Sequence, residues 1–375
     1  NGGEIAGNGI DDDANGFVDD IHGVNVVSDT RFHSGDPADD HGHGTSCAGI
    51  AAARGNNNQG ISGICWECGI MPVKVLDSAG YGDDANIGEA VIWAADQGAH
   101  VISMSLGGGA YSSYFDNAID YATNAGTTVI AATGNDNFSS ISYPSRYDNC
   151  VAVGAMSPCN ERKNYSSCDG ENFWGSNYGD GLDFLSPGVR IHTTALNGGY
   201  MSDFNGTSSA TPHAAGIAGL LYSAMPTLTP ENVREIMQIS SDDLGSAGWD
   251  SQTGYGRLNA YMALAYLTGG PEIGLDQEEL LISVESGDVI STELTVINGG
   301  EIDLNVTIDE SGYSYTNSDD EGDYSWVDIS VDGTIYSFPQ NDQAGATLDI
   351  GFNFPFYDNF YSECIINANG WVGWH

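Results

Sequence analysis

Three short stretches carry residue types that do chemistry together. His41-Gly42-His43-Gly44-Thr45-Ser46-Cys47-Ala48-Gly49 sets imidazoles between glycines, and Ala131-Ala132-Thr133-Gly134-Asn135 ends an apolar run on a carboxamide. Asn205-Gly206-Thr207-Ser208-Ser209-Ala210-Thr211-Pro212-His213 opens a run of small residues on hydroxyls. Acyl transfer needs a nucleophilic hydroxyl, a base to take its proton, and donors aimed at the oxyanion that develops. A serine in the first turn of a helix sits where unpaired N–H groups and the helix dipole favour negative charge. Each stretch alone has an ordinary explanation: a helix cap for Ser208, a solvated loop for His41 and His43, a turn for Asn135. Together they describe one reaction.

The three stretches resemble the catalytic motifs of the subtilisin-like serine peptidases, the subtilases. His43 with the following Gly44, Thr45, Ala48 and Gly49 resembles the family's histidine motif, and Gly206 to His213 its nucleophile motif. Gly134-Asn135 is similar to the turn that carries its oxyanion asparagine. The resemblance spans about residues 1 to 268. It implies Ser208 as nucleophile, His43 as general base and then acid, and the Asn135 side chain with the Ser208 backbone N–H as oxyanion hole. It also implies a substrate wall built from Ser105, Leu106 and Gly107 and from Ala132, Thr133 and Gly134, roomy enough for a sizeable apolar side chain, and a cis Tyr143–Pro144 bond. The GxSxG elbow of the α/β-hydrolases is absent around Ser208.

One part of that pattern is missing. The family's chain order is Asp, His, Ser, and its Asp ends an apolar strand and begins an Asp-(Ser/Thr)-Gly turn. Phe17-Val18-Asp19 is the nearest approach before His43, but Asp20-Ile21 follows where the turn belongs. The expectation is that the Asp lies upstream of residue 1 and that residues 1–375 alone hydrolyse peptides poorly, since losing this Asp costs subtilisin ~3 × 10⁴ in turnover.

Asp11 to Asp20 follows different logic. Asp11, Asp13 and Asn15 offer hard oxygens at alternate positions, Gly16 allows the sharp turn, Phe17 offers a carbonyl and Asp20 can close the loop, as in the front half of an EF-hand. The twelfth position is His22, so a complete EF-hand is excluded. The expected ligand is a structural Ca²⁺; the plain alternative is a solvated acidic turn.

These loops need a scaffold. From Met71 onward the chain alternates apolar strands with amphipathic helices. Val73 to Leu76, Val101 to Leu106, Thr128 to Ala132, Val151 to Val153 and Arg190 to Thr193 read as strands. Ile87, Ala90, Val91, Ala94 and Ala95 share one helical face, as do Phe115, Ala118, Ile119 and Ala122. Further helices are expected at about 207–225, 229–240 (Thr229 cap, Pro230 in the first turn) and 258–267. This alternation predicts an α/β fold, a parallel sheet with helices on both faces. After Gly269-Gly270-Pro271 the pattern becomes β-like. The expected organisation is a peptidase domain over 1–269, a small β-module over 270–312, and the start of a second β-domain over 313–375.

Composition narrows the partners. The chain of 375 residues carries 52 acidic and 9 basic side chains, a net charge of −43. Such a chain repels phosphate backbones and lacks the Lys and Arg clusters that nucleic-acid binding needs. No apolar run reaches the ~18 residues of a membrane span. Protein or peptide substrates, a monomer, and a secreted or cell-surface location are the expectations. Seven cysteines fit an exterior setting: Cys159 and Cys168 bracket a short polar loop suited to a disulfide, while Cys65 and Cys68 read as a local disulfide or free thiols. From a different class stands a non-catalytic acidic calcium-binding or adhesion protein that keeps the subtilase shell. The survival of His43, Asn135 and Ser208 together argues against it.

Overall fold

The computed structural model describes residues 3–5, 7–27, 33–108 and 110–267 (33 and 34 by backbone alone), and seven strands of the stretch 268–375 by their backbone. The chain divides into two units, Asn1–Leu267 and Thr268–His375.

In the first unit a parallel sheet orders β5 (Val101–Met104), β6 (Thr128–Ala132), β7 (Cys150–Met156) and β8 (Phe184–Pro187). All of β6 and β7 is buried, so their residues read as continuous apolar runs rather than alternating ones. Side chains still alternate between faces. Ile130, Val151, Val153 and Ala155 pack on α4 (Thr207–Ala224), α5 (Pro230–Ile239) and α6 (Ala260–Leu267). Val129, Ala131 and Cys150 pack on the other face, against α2 (Asp84–Asp96) and α3 (Ser113–Asn124). The helices start where side chains can cap them. Asp83 accepts from Ala85 N, Ser112 from Phe115 N, and Thr229 forms a capping box with Asn232 ahead of Pro230. The expected helical faces at 87–95 and 115–122 are the buried ones.

A second small sheet orders β1 (Phe17–Val18), β3 (His33–Ser34), β2 (Val24–Asn25) and β4 (Val73–Lys74). Both β4 and β5 are sheet edges, and among the described residues no strand joins them. The consequence is visible in β5, whose Val101 and Ile102 are half-buried and whose Ser103 is exposed.

One expected element differs. The strand read at Arg190 to Thr193 does not extend the parallel sheet. It is β9 (Ile191–Ala195), paired antiparallel with β10 (Gly199–Phe204) in a hairpin. Asn197 and Gly198 both take positive φ (58° and 72°), a turn that reverses the chain at once and leaves no room for a crossover helix. The hairpin braces α1 (His43–Ala52): Thr193 Oγ1 donates to Ser46 O (2.6 Å) and Thr194 Oγ1 to Thr45 O (2.7 Å). A Cβ at Gly49 would lie 2.2 Å from Thr194 Oγ1, so only glycine allows this approach.

Among the described residues two disulfides form, Cys65–Cys68 and Cys159–Cys168, while Cys47 and Cys150 stay free. No helix among the described residues is long and apolar enough to cross a membrane.

Among the described residues of the second unit the strand pairs are antiparallel. Strand β11 (Ile273–Leu275) pairs with β12 (Val296–Asn298), and β13 (Tyr324–Trp326) with β14 (Tyr336–Phe338). The last three strands, β15 (Gly345–Phe356), β16 (Asn359–Asn367) and β17 (Val372–Trp374), form one sheet. In sequence, Leu280 to Val284 and Ile302 to Ile308 also read as strands, and both lie outside the described residues.

Phe184 is fully buried between the sheet and α4. Phe184→Ala is expected to destabilise the first unit by about 3–5 kcal/mol through lost burial and the cavity left behind, read as a lower midpoint in urea denaturation.

Candidate active site

Helix α4 is built for burial. Ala210, Ala214 and Ala218 are fully buried, and Gly216 lies so close to Ile64 that a Cβ there would sit 2.5 Å from the Ile64 Cβ. The helix therefore fixes whatever stands at its N-terminus. Gly206, at φ 112°, turns the chain into the helix, and Ser208 follows in the first turn. Thr207 is the joint. Its N–H (2.8 Å) and its hydroxyl (3.0 Å) both donate to Asn135 Oδ1, and its Oγ1 accepts from Gly134 N (3.2 Å). With Oδ1 occupied twice, the Asn135 amide has one orientation, and its two Nδ2 hydrogens are left for other acceptors. The amide lies against Gly206, where a Cβ would sit 3.3 Å from Asn135 Nδ2. Thr207 is a residue the motif reading passed over, because any Ser or Thr at a helix start reads as a cap.

His43 opens α1, entered through Gly42 at φ 98°. One side chain feeds this entry: Asp39 accepts from His41 N (2.9 Å), Gly42 N (2.7 Å), Thr45 N (2.8 Å) and Thr45 Oγ1 (2.7 Å). Burial alone would raise the Asp39 carboxyl, but these hydrogen bonds outweigh it and hold the group well below the usual carboxylate range. The His43 ring packs edge-on against Phe204, with centroids 5.4 Å apart. Burial holds its pKa below 6.5, and neighbouring His41 adds to this, against an opposing pull from Asp39.

One sulfur touches both helices of the site. Cys47 Sγ lies 3.8 Å from His43 Nδ1 and donates to Ser208 O at 3.5 Å. Burial pushes this thiol up to about 12, so it stays protonated across the neutral range. Ser208 Oγ donates to Ser105 O (3.3 Å), and Ser105 Oγ donates back to Ser208 O (2.8 Å). Among the described residues, no carboxylate bonds the His43 ring and no hydrogen bond joins that ring to Ser208 Oγ.

The two expected wall segments come together on either side of one loop. Gly108 N donates to Tyr143 O, Ser142 N donates to Thr133 O, and Gly107 has the Tyr143 and Ala132 carbonyls beside it. Ala132 and Thr133 are buried, Leu106 and Gly134 are half-buried, and Gly107 is exposed. Tyr143–Pro144 is cis.

The acidic loop gathers carboxylates in a different set from the one read in sequence. Oxygens of Glu4, Asp13 and Asp20 lie within 4.8 Å of one another. Asp11 is instead turned onto backbone, accepting from Asn15 N (3.1 Å) and Gly16 N (2.9 Å). Asn15 Oδ1 accepts from Phe17 N, and Asn15 Nδ2 donates to Asp20 Oδ2 (2.8 Å). Glu4 could not be found by spacing, because it reaches the loop from outside it. An all-carboxylate oxygen set suits a hard cation such as Ca²⁺.

A buried helix start bearing a serine, a histidine helix beside it and an oriented asparagine amide are the parts of a serine-peptidase site. Comparison with known proteins gives the family. The Subtilase family profile matches residues 8–256, and the chain belongs to that family. The first unit is similar to thermitase of Thermoactinomyces vulgaris, 39% identical over 61% of this chain and 77% of the relative. It is also similar to subtilisin Savinase of Lederbergia lenta (37%, over 64% and 84%) and to alkaline elastase YaB of a Bacillus species (38%, over 64% and 60%). A solved protease structure from Pseudoalteromonas arctica PAMC 21717 shares the fold with a TM-score of 0.58 and 28% identity, over 67% of this chain and 84% of that one.

Asp39→Ala removes an acceptor of four hydrogen bonds at the start of α1 and is expected to cost about 1–2 kcal/mol. The folded-state pKa of Asp39 is depressed, so its contribution is full above the unfolded value of ~3.9 and fades as pH falls through the lower folded one. Urea unfolding of wild type and variant should differ most at neutral pH and converge in acid.

Proposed function

We propose that the chain is the catalytic part of a secreted, calcium-stabilised serine endopeptidase. The observation that carries this reading is the contact of Asn135 with Thr207, which binds a carboxamide of fixed orientation to the turn that holds Ser208. In the proposed reaction Ser208 Oγ attacks the substrate carbonyl and His43 takes its proton. Asn135 Nδ2 and the Ser208 N–H donate to the oxyanion, and His43 then protonates the leaving amine. The acyl-enzyme is released by water through the same groups in reverse order. Ser105 to Gly107 and Ala132 to Gly134 flank the substrate. Burial keeps His43 below its ordinary pKa, which favours the neutral form a base requires.

The carboxylate partner of His43 is proposed to come from a segment preceding Asn1. The open edges of β4 and β5 support this, because a strand between them would complete the sheet and end near the active-site side of β5 and β6. Ca²⁺ is proposed to sit among Glu4, Asp13 and Asp20, where it would offset their mutual repulsion and tie the first residues to β1. The two disulfides fit an oxidising exterior. The β-rich residues after 269 are proposed to form separate modules.

Two experiments test the reading. In protein carrying its upstream segment, an organophosphonate should label Ser208 alone, Ser208→Ala should abolish peptide hydrolysis, and Asn135→Ala should lower turnover by about 10²–10³. Hydrolysis that survives Ser208→Ala would exclude this serine as nucleophile. Calcium should raise the melting temperature and slow proteolysis within residues 4–20, and Glu4→Gln with Asp20→Asn should erase both effects. Equal melting in calcium and in chelator would exclude the site.

A further inference from the structure

The loop between β7 and β8 is built around a buried cation. Lys163 is fully buried, with its ammonium 3.1 Å from Asp169 Oδ1 and donating to Asn164 O (2.8 Å) and Glu171 O. Its charge also lies 5.2 Å over the Trp174 ring. An unpaired charge at such a site would be strongly destabilising, so these contacts fix the loop backbone at 164 and 171 and the side chain of Asp169. The Cys159–Cys168 bridge closes the same loop from outside.

What the fixed loop presents is the Glu171 carboxylate, with a side chain only 11% exposed. Oε1 accepts from Arg190 Nε (2.9 Å), and Oε2 from Trp174 Nε1 (2.8 Å) and Asn205 Nδ2 (3.0 Å). Asn205 is held from its other end as well, since its Oδ1 accepts from Arg190 N (2.6 Å). Asn205 immediately precedes Gly206, whose own N–H donates to Gly188 O (2.9 Å). Neither terminus of the Asn205 amide can turn without breaking a bond, and the next three residues are Gly206, Thr207 and Ser208.

We propose that Glu171 is a positioning residue for the nucleophile: its carboxylate locks Asn205, and Asn205 fixes the angle at which the chain enters α4 with Ser208 and the Asn135 contact. This rests on Ser208 being the nucleophile. The charge is needed as well as the shape, because one carboxylate accepts from a guanidinium, an indole and an amide at once, which a carboxamide cannot do with a single acceptor oxygen.

The test is peptide hydrolysis by the full-length protein in five forms: wild type, Glu171→Gln, Asn205→Asp, the two combined, and Trp174→Phe. Glu171→Gln and Asn205→Asp should each lower kcat by about tenfold to a hundredfold, the range expected when a reacting group is misplaced by a fraction of an ångström to 1 Å, with KM within about twofold of wild type. In the combined variant a glutamine amide can donate to an aspartate, reversing the original bond, and kcat should recover at least half of the loss on a logarithmic scale. Trp174→Phe removes a different donor from the same carboxylate. It should lower the melting temperature but leave kcat within about twofold.

Wild-type kcat in both single variants would overturn the proposal, as would the absence of recovery in the combined form or a Trp174→Phe loss equal to that of Glu171→Gln. If Glu171→Gln does not fold, Asn205→Asp and the combined variant carry the same comparison. Absence of Ser208-dependent hydrolysis in wild type would instead overturn the peptidase reading itself, and the positioning role with it.

Discussion

Asn135 Oδ1 accepts both the N–H and the hydroxyl of Thr207, and through that pair the turn after β6 is fastened to the first turn of α4. The two bonded residues lie 72 positions apart in the sequence. Much of the site depends on their junction. It orients the carboxamide, it ties the residue before Ser208 to that turn, and Thr207 Oγ1 also accepts from Gly134 N. Gly206 makes the junction possible, since its positive φ and missing Cβ let the Asn135 amide lie against the backbone. A hydrogen bond contributes about 1 kcal/mol net in a typical fold. Its weight here comes from geometry, because three functional parts share it.

Around this junction the molecule is rigid for definable reasons. Helix α4 runs through the main core with alanine and glycine on its buried faces, so it packs closely against both the sheet and α1. Side chains of β9 tie α1 down in turn by bonding its first-turn carbonyls. His43 and Ser208 thus belong to two helices that are each locked independently, with Cys47 as the atom between them. A small half-buried thiol at that point fills space without offering a charge that would compete for the imidazole.

Electrostatics in this chain is organised locally against a large excess of one sign. Most of its 52 acidic side chains have no basic partner available, since only 9 exist. Many turn instead to backbone N–H groups, as Asp39, Asp77 and Asp250 do, and each of these carboxyls is held below its ordinary pKa. The few cations go where they organise most. Lys163 is buried in the loop that carries Glu171, and Arg234 donates from Nε and Nη2 to the Asp183 carboxylate and from Nη1 to the Asp148 carbonyl.

Much of this was legible from residues alone. Ser208, His43 and Asn135 stand in motifs whose chemistry is local: a hydroxyl at a helix start, an imidazole between glycines, an amide at the end of a buried strand. The helical faces at 87–95 and 115–122 were equally legible, because periodicity records burial directly. Sequence could not decide contacts between distant segments. Glu4 joins Asp13 and Asp20 by folding back over the acidic loop, and its oxygens, like those of Asp11, also accept from N–H groups of that loop. The strand at 191–195 had the composition of a parallel strand, but a three-residue turn made it one arm of a hairpin. Thr207 stands in the nucleophile motif with no role of its own to read there, and Glu171 carries no signal, since a threonine at a helix start and a glutamate in a polar loop are ordinary residues. Tertiary structure alone gives them partners 72 and 34 residues away, because a hydrogen bond depends on where two atoms meet and not on how far apart they lie along the chain.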